Sequence, residues 1–299
     1  MINNFKSIFI CLCLITVCCQ TFASDNAGAF IEKGLQARSS AMGMGYVSVA
    51  ENSDAIYWNP ACLTRINKND ISIMGSKAYE TDYLSFQYAT KYNDFGIGFG
   101  YIGAAMLGIH ETALGNNSRY EKTGNELSYQ AAAYYLGAGK KVAENLSVGV
   151  TAKFIGEEAA THKAGGAGID LGALYEPTKE ISFGINCQNI IKPSMTWNTP
   201  SKNVDTIPTN IKTGISFRPN KDWVLSADVN FRNNRKNKVN FGCEYWFTKF
   251  LPLRAGLDEN RLSLGTGLYL NMIYFDFAWM NPDLEQIDDI YRFSLGIQF

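Results

Sequence analysis

From Asp70 to the end of the chain, apolar and polar residues alternate with a period of two, in segments of about ten residues separated by turn residues. In 224–232, Leu225, Ala227, Val229 and Phe231 share one face, and Ser226, Asp228, Asn230 and Arg232 share the other. In 146–154, Leu146, Val148, Val150, Ala152 and Phe154 oppose Ser147, Gly149, Thr151 and Lys153. The segment 271–281 sets Ile273, Phe275, Phe277 and Trp279 against Tyr274, Asp276 and Ala278. The pattern predicts fourteen strands, near 70–79, 83–91, 95–104, 129–142, 146–157, 164–176, 181–191, 208–218, 223–232, 238–248, 251–258, 261–271, 272–281 and 290–299.

Strict alternation fits a soluble sandwich, whose apolar face meets a second sheet, or a membrane barrel, whose apolar face meets lipid. Strands of about ten residues suit a tilted membrane crossing, whereas sandwich strands commonly run about five or six. The connections are also sorted by parity. Even-numbered strands are followed by tight turns such as Tyr92-Asn93-Asp94 and Ala143-Glu144-Asn145, while the long connections, 105–128, 192–207 and 282–289, all follow odd-numbered ones. Long loops at one rim and short turns at the other define an outer-membrane barrel. The fold expected is all-β: a 14-stranded antiparallel transmembrane β-barrel over 69–299. Its last strand ends on Phe299, with Tyr291, Phe293, Leu295 and Ile297 at alternate positions, and resembles the C-terminal signal read by barrel-assembly machinery. That machinery and outer-membrane lipids are therefore expected partners.

Two N-terminal segments break the alternation. Residues 1–23 combine Lys6, an apolar run from Ser7 to Cys19 and a Thr21-Phe22-Ala23 cleavage site, the pattern of a secretory signal peptide. Residues 24–68 carry the small, Gly-rich stretch 39–50 and then ENSDAIYWNPACL. Tyr57 and Trp58 form an aromatic wedge, Asn59 is a favoured helix N-cap, and Pro60 suits the first helical position. Fourteen strands enclose more space than wall side chains fill. We read 24–68 as a hatch inside the lumen, with Tyr57, Trp58, Asn59, Pro60 and Ala61 as its motif.

Composition narrows the chemistry. A net charge of −1 argues against a nucleic-acid partner, which usually needs a basic face. Beyond the leader only Cys62, Cys187 and Cys243 remain, an odd number with no zinc spacing, which reads as packing. The two histidines, His110 and His162, fall at the long-loop ends of their segments with no Ser/His/carboxylate grouping and no metal-spaced partner. No catalytic residue, metal site or cofactor is assigned, and the chain is not expected to be an enzyme. The inward positions Lys153, Asp170, Lys212, Arg218, Asp228, Arg232, Glu244, Asp276 and Arg292 alternate in sign, as ion pairs bracing wall and hatch would.

The stretch SSAMGMGYVSVAENSDAIYWNPACL resembles the N-terminal signature of the PorV/PorQ family, within the wider group of FadL-like outer-membrane barrels, where an Asn-Pro-Ala hatch element recurs. Asn59-Pro60-Ala61 carries that match, with Cys62 where the family often has Gly. Short C-terminal words are similar too: Leu253-Arg254-Ala255-Gly256 and Leu264-Gly265-Thr266-Gly267-Leu268. The PorV resemblance implies a non-enzymatic role in protein export or envelope assembly, of type IX secretion kind, with secretion components as partners. The FadL resemblance implies the alternative, passive transport of hydrophobic small molecules across the outer membrane of a Gram-negative cell. For that alternative, Met195 and Trp197 are candidate ligand or partner contacts on a long loop. Gly-rich FGIGFGYIG (95–103) is expected to kink and open the wall.

Overall fold

A computed structural model describes residues 28–115, 119–233, 235–282 and 288–299. The expected signal peptide, 1–23, lies outside the described residues, as do residues 24–27. The sheet is built from β1 (Asp70–Ala78), β2 (Thr81–Tyr92), β3 (Phe95–Leu114), β4 (Tyr120–Ala143), β5 (Leu146–Ala159), β6 (His162–Tyr175), β7 (Ile181–Ile191), β8 (Ser194–Trp197), β9 (Val204–Thr206), β10 (Asn210–Phe217), β11 (Trp223–Arg232), β12 (Lys238–Thr248), β13 (Leu251–Asp258), β14 (Arg261–Leu270), β15 (Ile273–Met280) and β16 (Ile290–Gln298). Fourteen of these close an antiparallel ring. β1 pairs with both β2 and β16, β5 joins β6, and β7 joins β10. The small β8–β9 hairpin stands outside the ring, paired to the upper end of β6. The ring is finished at its base by Asn69 and Phe299, whose backbones exchange hydrogen bonds of 2.9 and 3.0 Å.

Each predicted strand has its counterpart, because closing the ring gives every wall residue one of two faces. On β16, Tyr291, Phe293, Leu295 and Ile297 point outward and are exposed, while Arg292 and Ser294 point inward and are buried. Outward Leu225, Phe231, Phe241, Leu253, Leu264 and Phe275 continue this apolar belt.

Two expected loops are ordered differently. Within the expected loop 105–128, β3 as far as Leu114 and β4 from Tyr120 continue as a ribbon past the rim, paired to Leu114↔Tyr120, with bulges near Met106–Ile109 and His110–Thr112. Both its faces are wet, so no alternation marks it. Over 192–207, the β8–β9 hairpin replaces the expected loop.

Residues 28–68 run down the inside of the ring. Gly28 lies against Ile207 at the long-loop rim, and Arg65 reaches Glu176 at the short-turn rim. The segment holds a 3-10 turn (Ala29–Lys33), helix α1 (Ala37–Ala41), helix α2 (Ala55–Trp58) and a second 3-10 turn (Pro60–Arg65). Its apolar residues, among them Leu35, Tyr46, Val47, Ile56, Trp58 and Leu63, form one buried cluster with wall residues Ile102, Tyr135 and Leu174. The hydrophobic core thus sits within the lumen.

The expected kink in β3 is absent. β3 stays paired to β2 and to β4 from Phe95 through Ala105. Its inward glycines serve close approach instead. Gly96, Gly139, Gly149 and Gly172 form one register row across β3 to β6. A Cβ on any of them would collide with Asn59, Pro60 or Leu63. The row is a smooth floor on which the second 3-10 turn lies backbone to backbone.

Candidate functional site

The ring encloses a lumen, and residues 28–68 fill it in a lower and a middle tier, beneath a rim where small cavities lie. The lower is the glycine floor. Asn59 is fully buried in extended backbone there, and its Oδ1 accepts from the Ala61 N–H at 3.1 Å, capping the Pro60–Arg65 turn. Its Nδ2 donates to Val47 O and to Ala173 O on the wall, so one side chain ties the turn to both partners. Pro60 and Ala61 are buried against β5 and β6. The sequence predicts an aromatic wedge leading into one short helix. The structure places Tyr57 and Trp58 on helix α2, with Asn59 as the break between two helical turns.

The middle tier is aromatic. The Trp58 ring meets Tyr57 and Tyr46 edge-on, with centroids 5.0 and 5.9 Å away, and Tyr57 meets Tyr135 of β4 at 6.1 Å. Such edge-to-face pairs are favoured by the ring quadrupole. Trp58 Nε1 donates to Asp54 Oδ2 at 3.0 Å. The wall amides Asn186 and Gln188 donate to the carbonyls of Tyr57 and Trp58, which the break at Asn59 leaves free.

Around these tiers runs a belt of charge. Arg38 of α1 donates to both carboxylate oxygens of Glu244, at 2.8 and 2.7 Å, and also to Glu51. Arg254 bridges Glu244 and Asp276, each at 2.6 Å. Asp228 accepts from the Tyr46 and Val47 N–H groups, and Arg292 donates to Lys33 O and Ser40 Oγ. Lys153 pairs with Asp170 within the wall. Most of the mixed-sign inward positions therefore meet one another or the inner segment; Arg232 instead donates to Lys236 O in the β11–β12 connection, and among the described residues Lys212 meets only the Tyr57 and Trp58 rings. Of the inner partners, Arg38, Glu51, Asp54 and Arg65 carry no signal in the sequence, because the segment has no period to assign them a face.

Beside Tyr57 and Trp58 lie small cavities, among them one of about 30 and one of about 50 Å³, toward the long-loop rim between the inner segment and β7, β10, β11 and β12. Ile207, Pro208 and Thr209, which follow the β8–β9 hairpin, line the smaller one. Met195 is 1% exposed and packed in the core, and Trp197 is half-buried, with Nε1 donating to Asp205. Neither stands free at the rim, where ligand or partner contact was expected of them. Met195 instead packs in the cluster that holds Phe30 and Ile207. His110 and His162 are exposed. Among the described residues no cluster of His, Cys, Asp and Glu has a metal-binding arrangement. Cys62, Cys187 and Cys243 are free thiols.

No protein-family model matches the chain, and no curated protein matches it. Solved structures do. The toluene transporter TbuX of Ralstonia pickettii superposes with a TM-score of 0.69 at 15% identity, covering 89% of this chain and 99% of its own. The toluene transporter TodX of P. putida gives 0.68 at 13%, with coverage of 89% and 99%. A FadL homologue of Pseudomonas aeruginosa gives 0.58 at 12%, with 89% and 98% covered. The fold is that of a FadL-like barrel.

Proposed function

We propose that the protein is an outer-membrane channel for passive movement of small hydrophobic molecules, held shut by a hatch formed by residues 28–68. The observation that carries this reading is a barrel like those of hydrocarbon transporters whose lumen is closed by its own N-terminal segment. The likeness to transporters favours this reading over the protein-export role that the PorV/PorQ resemblance implies.

The route follows from where the molecule is weakest. A path straight down the axis must lift the second 3-10 turn from its glycine floor and break the Arg38–Glu244 pair. Breaking a buried pair costs about 3–5 kcal/mol. A sideways path needs only the β6–β7 seam. There the register jumps between Ile169↔Ile191 and Leu171↔Cys187, so β7 bulges over Gln188, Asn189 and Ile190. Asn189 has a positive φ of 57° and donates from Nδ2 to Pro208 O, beside the smaller cavity. Solute taken up at the smaller cavity leaves through this seam into the membrane.

The test is toluene uptake by cells expressing the native protein or the pair I169C/I191C. Directly opposed residues lie within disulfide range. Uptake is expected to stop on oxidation and to return on reduction. Equal uptake in both redox states rejects the seam, and uptake no faster than in cells lacking the protein rejects the transport reading.

A further inference from the structure

The larger cavity beside Trp58 has a wall chemistry that hydrocarbon passage does not explain. Lys212 of β10 is 6% exposed and lines this cavity. Its ammonium lies 4.4 Å from the Trp58 ring centroid and 4.8 Å from that of Tyr57. It makes no hydrogen bond or ion pair among the described residues. Buried ammonium groups are ordinarily paired. The ring faces hold this one in place electrostatically and offer no acceptor for its three N–H bonds.

Three acceptors on the same lining lack donors. Asn210 Oδ1, Asp228 Oδ1 and Asn230 Oδ1 are buried without a hydrogen-bond partner. The other ends of two of these side chains are engaged: Asp228 Oδ2 holds the Tyr46 and Val47 N–H groups, and Asn210 Nδ2 donates to Gln188. The groups are thus fixed with their free atoms left over. An apolar solute would leave all four unsatisfied. What fits is a molecule with an anionic acceptor for Lys212 and N–H or O–H donors for the oxygens. The cavity of about 50 Å³ takes roughly three to five water-sized groups at about 10–15 Å³ each. That is the scale of a carboxylate with one substituted carbon.

We propose that this cavity is a binding site for a small carboxylate bearing a hydrogen-bond donor on the adjacent carbon, an α-amino or α-hydroxy acid. Lys212 holds the carboxylate, and Asp228 with Asn210 and Asn230 takes the donor. The hatch supplies the aromatic floor and β10 and β11 supply the polar groups, so the ligand binds only where the two are docked together. The site is independent of hydrocarbon transport, because binding is read on the closed protein.

The experiment is equilibrium dialysis of the full chain in detergent with radiolabelled glycine, glycolate or acetate. Glycine or glycolate is expected to be retained at least ten-fold over acetate, which lacks the donor. Lys212→Met should reduce retention to the acetate level while keeping the heat-modifiable migration of a folded barrel. Asn230→Ala should weaken retention several-fold. The proposal is overturned by no retention of either acid, by equal retention of acetate, or by full retention in folded Lys212→Met. Should Lys212→Met lose its barrel migration, unchanged retention in Asn230→Ala overturns it instead.

Discussion

At the scale of residues, the hatch turns on Asp54. Its Oδ2 accepts from Ser39 Oγ at 2.8 Å and from Trp58 Nε1, while Oδ1 is buried without a partner. Burial, opposed in part by those two hydrogen bonds, pushes its pKa from 3.8 up to about 7. A docked value above the free one means that docking favours the neutral acid. The stabilisation is complete below the free value and is lost as pH rises through about 7. In planar bilayers the leak through the native protein is therefore expected to grow from pH 5 to pH 8. Asp54→Asn, neutral throughout, should stay quiet across that range, and a native slope in this variant would remove Asp54 as the titrating group. Sequence singles out Tyr57, Trp58, Asn59 and Pro60 by residue type. It does not single out Asp54, because a carboxylate in a stretch without period reads equally as a surface group.

At the scale of elements, wall and hatch were unequally legible. A strand in a closed ring has only two faces, so Leu225, Val229 and Phe231 betray theirs by alternation alone. An inward glycine does not say whether the strand bends or another backbone approaches. Gly96 and Gly98 therefore read as a wall opening when they are a docking floor. Gly149→Val tests the floor. Valine suits a strand, so the wall tolerates it, but its side chain occupies the space of Pro60. Such overpacking costs about 1–3 kcal/mol, and the variant is expected to keep its heat-modifiable migration while leaking. A silent Gly149→Val barrel would show that the turn seats without the glycine row. The two faces of β11 give a paired prediction. Val229→Arg on the apolar belt should impair membrane insertion by about 2–4 kcal/mol without a leak. Ser226→Arg points inward, where Ser226 Oγ donates to Gly45 O at 2.7 Å, and should displace the hatch and raise conductance. Matching phenotypes for the two variants would contradict the assigned faces.

At the scale of the whole molecule, wall and hatch are joined by chemistry yet hydrogen-bonded separately. Every barrel strand pairs with a barrel neighbour on each side, so the ring does not need the hatch to close. The inward charges do need something: Glu244, Asp228 and Arg292 each rest on groups of the inner segment. Trimming Tyr57 and Trp58 to Ala leaves these ties in place and opens space only above the floor, where each truncation costs about 3–5 kcal/mol. Deleting 28–66 breaks the ties, but it also floods the lumen, and water then solvates the charges that the hatch had paired. The barrel should therefore survive deletion as a folded, heat-modifiable species, although an unpaired charge in a dry core would have unfolded it. Single-channel conductance is expected to be near zero for the native protein, intermediate and flickering for the double-Ala variant, and large and steady for the deletion. A deletion that fails to fold would show that hatch and wall form one cooperative unit. A deletion that folds but conducts no more than the native protein would mean that the lumen is closed by something other than residues 28–66.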